Sequence, residues 1–213
     1  LLCCSHQGKI IVDLNSGEIS EAEFDCAPEI TATIVDRQGR IWFGLYNNGI
    51  EVFSKDGKKL RSYNTANSSL NNNIVLCLTE RDSIILAGTD GGGINVIDFD
   101  NERTHAISHI SGDPSSFPAN SIKCIYVDDY KKIWAGSIRD GLINISQSDI
   151  ITYHDTHLGL SNGLSNPTVL CLHQDRDSDI IWIGTDGEGL NSFCPSTARF
   201  KLIKSTLKTK VVS

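Results

Sequence analysis

The stretch Ile41-Trp42-Phe43-Gly44-x4-Gly49-Ile50 decides the fold, because its pattern returns three times along the 213-residue chain. The other copies are Leu86-Ala87-Gly88-x4-Gly93-Ile94, Ile133-Trp134-Ala135-Gly136-x4-Gly141-Leu142 and Ile181-Trp182-Ile183-Gly184-x4-Gly189-Leu190. Successive first glycines are 44, 48 and 48 residues apart, a period typical of four-stranded propeller blades. The repeat therefore predicts an all-β protein, a β-propeller of four-stranded antiparallel blades.

The repeats divide the chain into blade fragments 1–25, 26–70, 71–117, 118–164 and 165–207, with the start of a next blade at 208–213. The chain begins with Leu1, contains no methionine, and begins and ends inside repeats. Because closed propellers usually have 4–8 blades, we expect residues 1–213 to form an incomplete propeller of about four to five blades.

The composition disfavours two classes of partner. The net charge is −7 and the 19 basic residues form no stripe, so nucleic acid is not expected to bind. No apolar run approaches the roughly 20 residues that a membrane-spanning helix needs.

The seven cysteines follow the repeat instead of a metal-site spacing. Cys77, Cys124 and Cys171 are 47 residues apart, and Ala32 holds the same place in the first full repeat. A free cysteine behaves as a small hydrophobe, so we expect all three to be buried and unreactive. The others (Cys3, Cys4, Cys26 and Cys194) form no CxxC pair, which disfavours zinc, and no cofactor is expected.

Each repeat reads as a meander of four strands, A to D. Strand A has the form Val/Ile-x-Cys-Leu/Ile-x-x-Asp, and strand B carries the tryptophan. The residues at Trp42, Trp134 and Trp182 are expected to fill the space between blades, since a ligand platform would not recur in every blade.

The glycines of the repeat have separate expected roles. The first lies within strand B, where a missing side chain usually lets another group pack close. The second lies at the B–C turn and is expected to have a positive φ. A phosphate-binding loop is disfavoured because a strand, not a helix, follows the glycines.

Three segments carry a resemblance to a known family. Leu164-Ser165-Asn166, Val169-Leu170-Cys171-Leu172-x2-Asp175 and Ile181-Trp182-Ile183-Gly184-Thr185-x3-Gly189-Leu190-Asn191 together resemble the two-component regulator propeller repeat. The run Leu70-Asn71-Asn72-Asn73-Ile74-Val75 is similar to its leading segment. The second repeat departs from the pattern, with Arg81 at the turn aspartate and Leu86 at the tryptophan.

The resemblance implies a seven-bladed propeller, commonly one of two in tandem, in the extracytoplasmic sensor half of a bacterial hybrid two-component system. It implies a periplasmic location, an oligosaccharide ligand, and partners that include the remaining blades or a second propeller. It also implies a homodimeric full-length receptor that signals to a histidine kinase. This segment itself is not expected to be an enzyme.

Candidate ligand-binding residues are those that differ between repeats at the B–C turns, because residues shared by all repeats serve packing. Tyr46 and Arg139 offer an aromatic face and a guanidinium to sugar rings and carboxylates. Hydrogen bonds to hydroxyls are expected from Asn47, Asp140, Asp186 and Glu188. The alternative is that these are ordinary solvated turn residues.

Other chemistry is weakly supported. His154 and His157 lie three apart in a long D–A loop with no third ligand. Asp175-x-Asp177-x-Asp179 resembles the start of a calcium loop but has Ile180 where that loop needs glycine. No catalytic motif is convincing. A ligand-sensing module, a protein-recognition scaffold and a carbohydrate-active propeller enzyme therefore remain as hypotheses, in that order.

Overall fold

The computed structural model describes residues 2–5, 8–12, 15–21, 24–113, 116–145, 150–153, 163–175, 178–187 and 189–203. Within these ranges the chain consists of strands joined by turns, and every sheet is antiparallel and formed by strands that are consecutive in sequence. The predicted all-β class and four-stranded antiparallel blade are confirmed. Glu188, Asp177, His154, His157 and the blade start at 208–213 lie outside the described residues.

The sheets follow one another along the chain. The first has three strands, β1 (Leu2–Ser5), β2 (Gly8–Val12) and β3 (Ile19–Glu21). The second has β4 (Ile30–Val35), β5 (Ile41–Leu45), β6 (Ile50–Phe53) and β7 (Lys59–Tyr63), and the third has β8 (Val75–Arg81), β9 (Ile84–Thr89), β10 (Ile94–Asp98) and β11 (Arg103–Ile107). The fourth has β12 (Ile122–Val127), β13 (Ile133–Ser137), β14 (Leu142–Ile145) and β15 (Ile150–Tyr153), and the fifth has β16 (Val169–Gln174), β17 (Ile181–Thr185), β18 (Gly189–Cys194) and β19 (Arg199–Ile203).

The chain forms two compact units, Leu1–Ile125 and Tyr126–Ser213, and the boundary falls within β12. In the first unit, a core of apolar side chains includes Trp42, Val75 and Ile97, all fully buried. In the second, Phe193 is fully buried and its ring lies 5.5 Å from that of Trp134. Each unit therefore has a core of its own.

The first glycine of the repeat lets neighbouring sheets approach closely. A Cβ placed on Gly44 would lie 2.7 Å from a methyl group of Val75, which belongs to the next sheet. A Cβ placed on Gly88 would lie 2.5 Å from the sulfur of Cys77 and 2.8 Å from the carbonyl oxygen of Ile122. Both distances are shorter than real contacts allow, so a side chain here would push the sheets apart.

The second glycine closes the B–C turn in a conformation that other residues rarely adopt. Its φ is +74° at Gly49, +71° at Gly93, +75° at Gly141 and +94° at Gly189. The Gly93 amide donates a hydrogen bond of 2.7 Å to the carbonyl of Asn120, just before the next strand A. This bond ties the B–C turn to the D–A connection.

The tryptophans differ in burial. Trp42 is completely buried, Trp134 is 2 % exposed, and Trp182 is half-buried. The indole N–H of Trp42 donates to Asp36 (2.8 Å), and that of Trp134 donates to Asp128 (3.0 Å). In the second repeat Arg81 and Leu86 stand at these two places, so the acceptor and the donor are absent together.

The expected burial of the periodic cysteines is wrong for Cys171. Its equivalent Cys77 lies under Ile122 of the following sheet, and burial raises the pKa of the Cys77 thiol to about 12. Cys171 is exposed, and among the described residues no further sheet follows β16–β19. The covering sheet, and not the residue type, determines burial at this position.

Candidate functional site

The B–C turns and the D–A connections lie at the same end of each antiparallel sheet, and the A–B and C–D turns lie at the other end. All the candidate ligand-binding residues predicted above belong to the B–C turns. We call the end that carries them the B–C rim. Because the two compact units are described separately, the rim residues of each unit are considered in turn.

In the first unit, Tyr46 and Asn47 lie on the turn between β5 and β6. The Tyr46 side chain is 47 % exposed, and Asn47 is also exposed. The backbone N–H of Tyr46 donates to the carbonyl of Glu29 (3.1 Å), so the turn is anchored while the ring is free to contact a ligand.

Asp90, on the turn between β9 and β10, is a further polar rim residue of the first unit. Its backbone N–H donates to the carbonyl of Ile74 (2.9 Å), and its carboxylate accepts a hydrogen bond from the hydroxyl of Ser121 (2.7 Å). Asp90 was not among the residues predicted to bind a ligand. The sequence does indicate it, because Asp90 follows Thr89 just as Asp186 follows Thr185 at the same place of the B–C turn.

In the second unit, Arg139 has an unusual backbone conformation. Its φ is +113°, a value that L-residues rarely adopt, and its side chain is exposed. The equivalent positions in two other repeats hold Gly91 (φ +100°) and Gly187 (φ +80°). These three turns share a glycine-like conformation, which Asn47 at the equivalent place of the first full repeat does not have, and Arg139 adopts it at a cost in strain.

Asp140 and Asp186 lie on neighbouring turns of the second unit. The backbone N–H of Asp140 donates to the Ser137 hydroxyl (2.7 Å), and that of Asp186 donates to the carbonyl of Thr168 (3.1 Å). Thr168 also forms an antiparallel bridge with Ile138, the residue before Arg139. The structure therefore brings the turn that carries Arg139 and Asp140 next to the turn that carries Asp186.

Buried hydroxyls hold these turns in place. Thr89, Ser137 and Thr185 each donate to the carbonyl of the second glycine across the turn, at 3.0, 3.1 and 3.0 Å. All three are buried, so each bond is shielded from water. The exposed side chains of the rim are consequently carried by a rigid backbone.

The long D–A connection that begins at Thr65 is mostly self-contained. The backbone N–H of Thr65 donates to the Asn73 side chain (2.9 Å), whose amide donates back to the Thr65 hydroxyl (3.1 Å). The Asn71 N–H donates to the buried side-chain oxygen of Asn95 (2.9 Å). These hydrogen bonds stabilise the connection.

The opposite end of the first unit carries a buried charge cluster that the sequence analysis did not identify. The Asp36 carboxylate accepts hydrogen bonds from Arg40 and Trp42. Burial raises the pKa of Asp36, but these hydrogen bonds outweigh it and place the pKa below its usual range. The recurrence of Asp with Trp six residues later, as in Asp128 and Trp134, was the signal for this pairing.

The described part of the chain contains no group of three or more His, Cys, Asp or Glu side chains arranged to hold a metal ion. Across the same residues there is also no helix of the length and apolarity required to cross a bilayer. The B–C turns carry an exposed aromatic ring in the first unit, and a guanidinium and two carboxylates in the second.

Comparison with known proteins finds a family model and a curated relative that resemble parts of this chain. The model of the two component regulator propeller matches residues 116–139 and 163–187. A curated relative, histidine kinase P4 of Formosa agariphila, is 26 % identical over 156 residues, which are 72 % of this chain and 10 % of that protein.

Two solved structures share the fold. The extracellular domain of the putative hybrid two component system BT3049 from B. thetaiotaomicron superposes with a TM-score of 0.72 and 19 % identity, over 97 % of this chain and 27 % of that one. For BT4673 from the same organism the TM-score is 0.73 and the identity 18 %, over 94 % of this chain and 26 % of that one. This chain thus spans a tenth of the curated relative and about a quarter of the solved domains. It is a β-propeller segment, two stretches of which match the two component regulator propeller model.

Proposed function

We propose that this chain is part of an extracytoplasmic, ligand-sensing propeller that relays the binding of a carbohydrate fragment to a histidine kinase. The fold and the matched repeats support this proposal, as does the similarity to a histidine kinase and to extracellular domains of putative hybrid two component systems. In this role the segment itself performs no catalysis.

The observation that carries the proposal is the strained backbone of Arg139. Two equivalent turns use glycine, which adopts a positive φ without cost, whereas Arg139 has a φ of +113°. Strained residues persist where the surrounding structure enforces them, and they cluster at binding sites. Contact of the exposed Arg139 guanidinium with a ligand would explain why an arginine is present here despite the backbone strain.

The neighbouring side chains suit a hydroxyl-rich ligand. Carboxylates at Asp140 and Asp186 accept hydrogen bonds from sugar hydroxyls, and Arg139 donates to ring or carboxylate oxygens. In the first unit, the exposed ring of Tyr46 offers a stacking surface and Asn47 adds an amide. Glu188, on the same turn as Asp186, is proposed as a further acceptor from its sequence position.

The full protein is proposed to supply the rest of the receptor. The remaining blades, or a second propeller, complete the sensing domain, and a homodimer passes the signal on. The proposed location is the periplasm. The names of the relatives support a kinase partner and an extracellular location, and the chain spans only a small part of each relative. The second propeller, the homodimer and the periplasm are proposed from the family resemblance of the repeats.

The test is a signalling assay on the full-length protein in membrane vesicles, with autophosphorylation measured against a panel of plant and host oligosaccharides. One glycan should change the phosphorylation level, and Tyr46→Ala and Arg139→Ala should weaken that response with little change in melting temperature. Arg103→Ala and Leu60→Ala, at exposed positions away from the rim, are the matched controls.

Three outcomes would contradict the proposal. Unfolding of both rim variants would make Tyr46 and Arg139 packing residues. Hydrolysis of a glycan by the propeller would support a carbohydrate-active enzyme. A response to a protein partner and to no glycan would support a recognition scaffold.

A further inference from the structure

The second unit contains a groove at the end opposite to the B–C rim. Its volume is about 220 Å³, and it lies between the A–B turn after β12 and the C–D turn after β18. Asp128, Tyr130, Lys132, Gln174, Asp179, Ile181, Pro195 and Ser196 line it. None of these residues belongs to the rim proposed above, so the groove is a separate feature. We call it the A–B groove.

The corresponding place in the first unit is filled by a cluster of side chains, which we call the clasp: Asp36, Gln38, Arg40, Phe99 and Asp100. The guanidinium of Arg40 lies between the carboxylates of Asp36 and Asp100, with a nitrogen 2.7 Å from an oxygen of Asp100. Its centre is 4.2 Å from the centroid of the Phe99 ring. The side-chain amide of Gln38 donates to Asp100 as well, at 2.9 Å. These contacts fill the space between the two turns.

The A–B groove arises because four clasp residues are replaced, while Asp36 is retained as Asp128 and the backbone of both turns is retained. Lys131 has a φ of +64° where the first unit has Gly39 at +79°, and Ala198 has +51° where it has Glu102 at +55°. The two units therefore have the same turn geometry. The replacements are Lys132 for Arg40, Tyr130 for Gln38, Pro195 for Phe99 and Ser196 for Asp100.

Ser196 carries no charge to hold a cation, and Pro195 offers no aromatic face. Nothing equivalent to the Arg40–Asp100 ion pair is formed among the described residues of the second unit. The side chains that would close the space are missing, and the space stays open.

Several polar groups in the A–B groove are available to a ligand. Within the described residues, the ammonium of Lys132, the hydroxyl of Tyr130 and the carboxylate of Asp179 have no hydrogen-bond or ion-pair partner. Gln174 accepts a hydrogen bond from the hydroxyl of Tyr126 (2.9 Å), which leaves its NH₂ group as a donor. Asp128 already receives the indole N–H of its own repeat and two backbone N–H groups.

The described lining carries charges of both signs, with two carboxylates and one ammonium. A carboxylate or phosphate would face Asp128 and Asp179, and a cation bound beside them would lie near the ammonium of Lys132. A neutral molecule with several hydroxyls can use the donors and the acceptors together. The Tyr130 ring is 74 % exposed and adds an apolar surface. A volume of about 220 Å³ is below the roughly 300–1,000 Å³ of pockets for drug-sized ligands, and it suits a single ring.

We propose that the A–B groove binds one neutral sugar ring, stacked on Tyr130 and hydrogen-bonded by Lys132, Asp179 and Gln174. This goes beyond the proposed sensing function and does not depend on it, because the two sites are at opposite ends of the strands and share no residue.

The experiment is an NMR titration of the chain with D-glucose, D-galactose, D-mannose and D-xylose. The indole N–H of Trp134, bound to Asp128 in the wall of the groove, serves as the reporter, and that of Trp42 serves as the internal control. We expect a saturable shift of the Trp134 signal with at least one sugar and none at Trp42.

The decisive variant rebuilds the clasp as Lys132→Arg with Ser196→Asp. It should weaken sugar binding at least tenfold while the chain stays folded. Tyr130→Ala, at an exposed position, is a second variant that should also weaken binding without unfolding. Arg103→Ala, at an exposed position of the first unit outside both sites, should leave this titration unchanged.

Absence of any Trp134 shift at tens of millimolar sugar would overturn the proposal. Unchanged affinity in the rebuilt clasp would do the same. Tighter binding of L-arginine or D-glucuronate than of every neutral sugar would show that the charge argument is wrong.

Discussion

Replacement of Arg139 by glycine should stabilise the protein and abolish ligand binding at the B–C rim. Arg139 has a φ of +113°, and strained backbone of this kind costs on the order of 1–3 kcal/mol in a residue with a Cβ. Glycine removes that cost, but its more flexible unfolded chain offsets about 0.4–1 kcal/mol. The expected net gain is about 1 kcal/mol, or about 2–4 °C in melting temperature for a chain of this size.

A matched control is available on the neighbouring turn. Gly187 has a φ of +80°, and no atom lies within 4 Å of the place where a Cβ would be added. Gly187→Ala therefore introduces backbone strain with no steric clash, and it should destabilise the protein by about 1 kcal/mol. Opposite signs for the two substitutions would isolate the backbone contribution.

The assay combines thermal and urea unfolding with ligand titration for both variants. A lower melting temperature for Arg139→Gly would show that the arginine side chain stabilises the fold by more than the strain costs. The account of Arg139 as a binding residue would then lose its physical basis. A higher melting temperature with unchanged ligand affinity would place the binding site elsewhere.

Three further predictions concern packing and charge. The pKa of Asp36 is lowered in the folded protein, so its stabilising contribution is full above about pH 4, the ordinary carboxyl pKa, and is lost as the pH falls through the folded value. Asp36→Asn should therefore reduce the loss of stability at acid pH. An unchanged acid dependence of the free energy of unfolding would contradict this role of Asp36. Iodoacetamide at pH 8 should label Cys171 rapidly and Cys77 only after unfolding, as measured by mass spectrometry of the digested protein. Labelling of Cys77 before Cys171 would contradict this prediction. Gly44→Ala should destabilise by about 1–3 kcal/mol in urea unfolding, because the added methyl group meets the next sheet, and a neutral result would refute that contact.

The repeat pattern predicts the architecture because each of its residues meets a backbone requirement. Glycine at position 49 is needed for a positive φ, and glycine at position 44 is needed for close packing of the next sheet. The positive φ is a local requirement that recurs at Gly49, Gly93, Gly141 and Gly189, so the period of the sequence is sufficient to recognise it. Strand order follows directly from consecutive antiparallel pairing.

Features that depend on a distant partner were not predictable in the same way. The Arg40–Asp100 contact joins residues 60 positions apart in sequence. Whether Arg40 finds that carboxylate depends on which turn of the next sheet faces it. Cys171 shows the same limit, because its exposure is set by what covers its sheet.

The backbone strain at Arg139 could be predicted from the sequence only in part. Alignment of the B–C turns already places Arg139 opposite Gly91 and Gly187, so the sequence contained the signal. The alignment alone does not show that all three residues have a positive φ, which the structure shows. Similarly, the sequence shows an aspartate six residues before a tryptophan at Asp36 and Asp128, but only the structure shows the hydrogen bond between them.

The central claim is that the B–C rim of this propeller binds a carbohydrate fragment. Its most direct test is isothermal titration calorimetry of the complete sensing region that contains this chain, against plant and host oligosaccharides. The account predicts saturable binding of one glycan, with no product formed and at least tenfold weaker binding in Arg139→Gly. Equal affinity in the wild-type and Arg139→Gly proteins, or no binding across the panel, would contradict it.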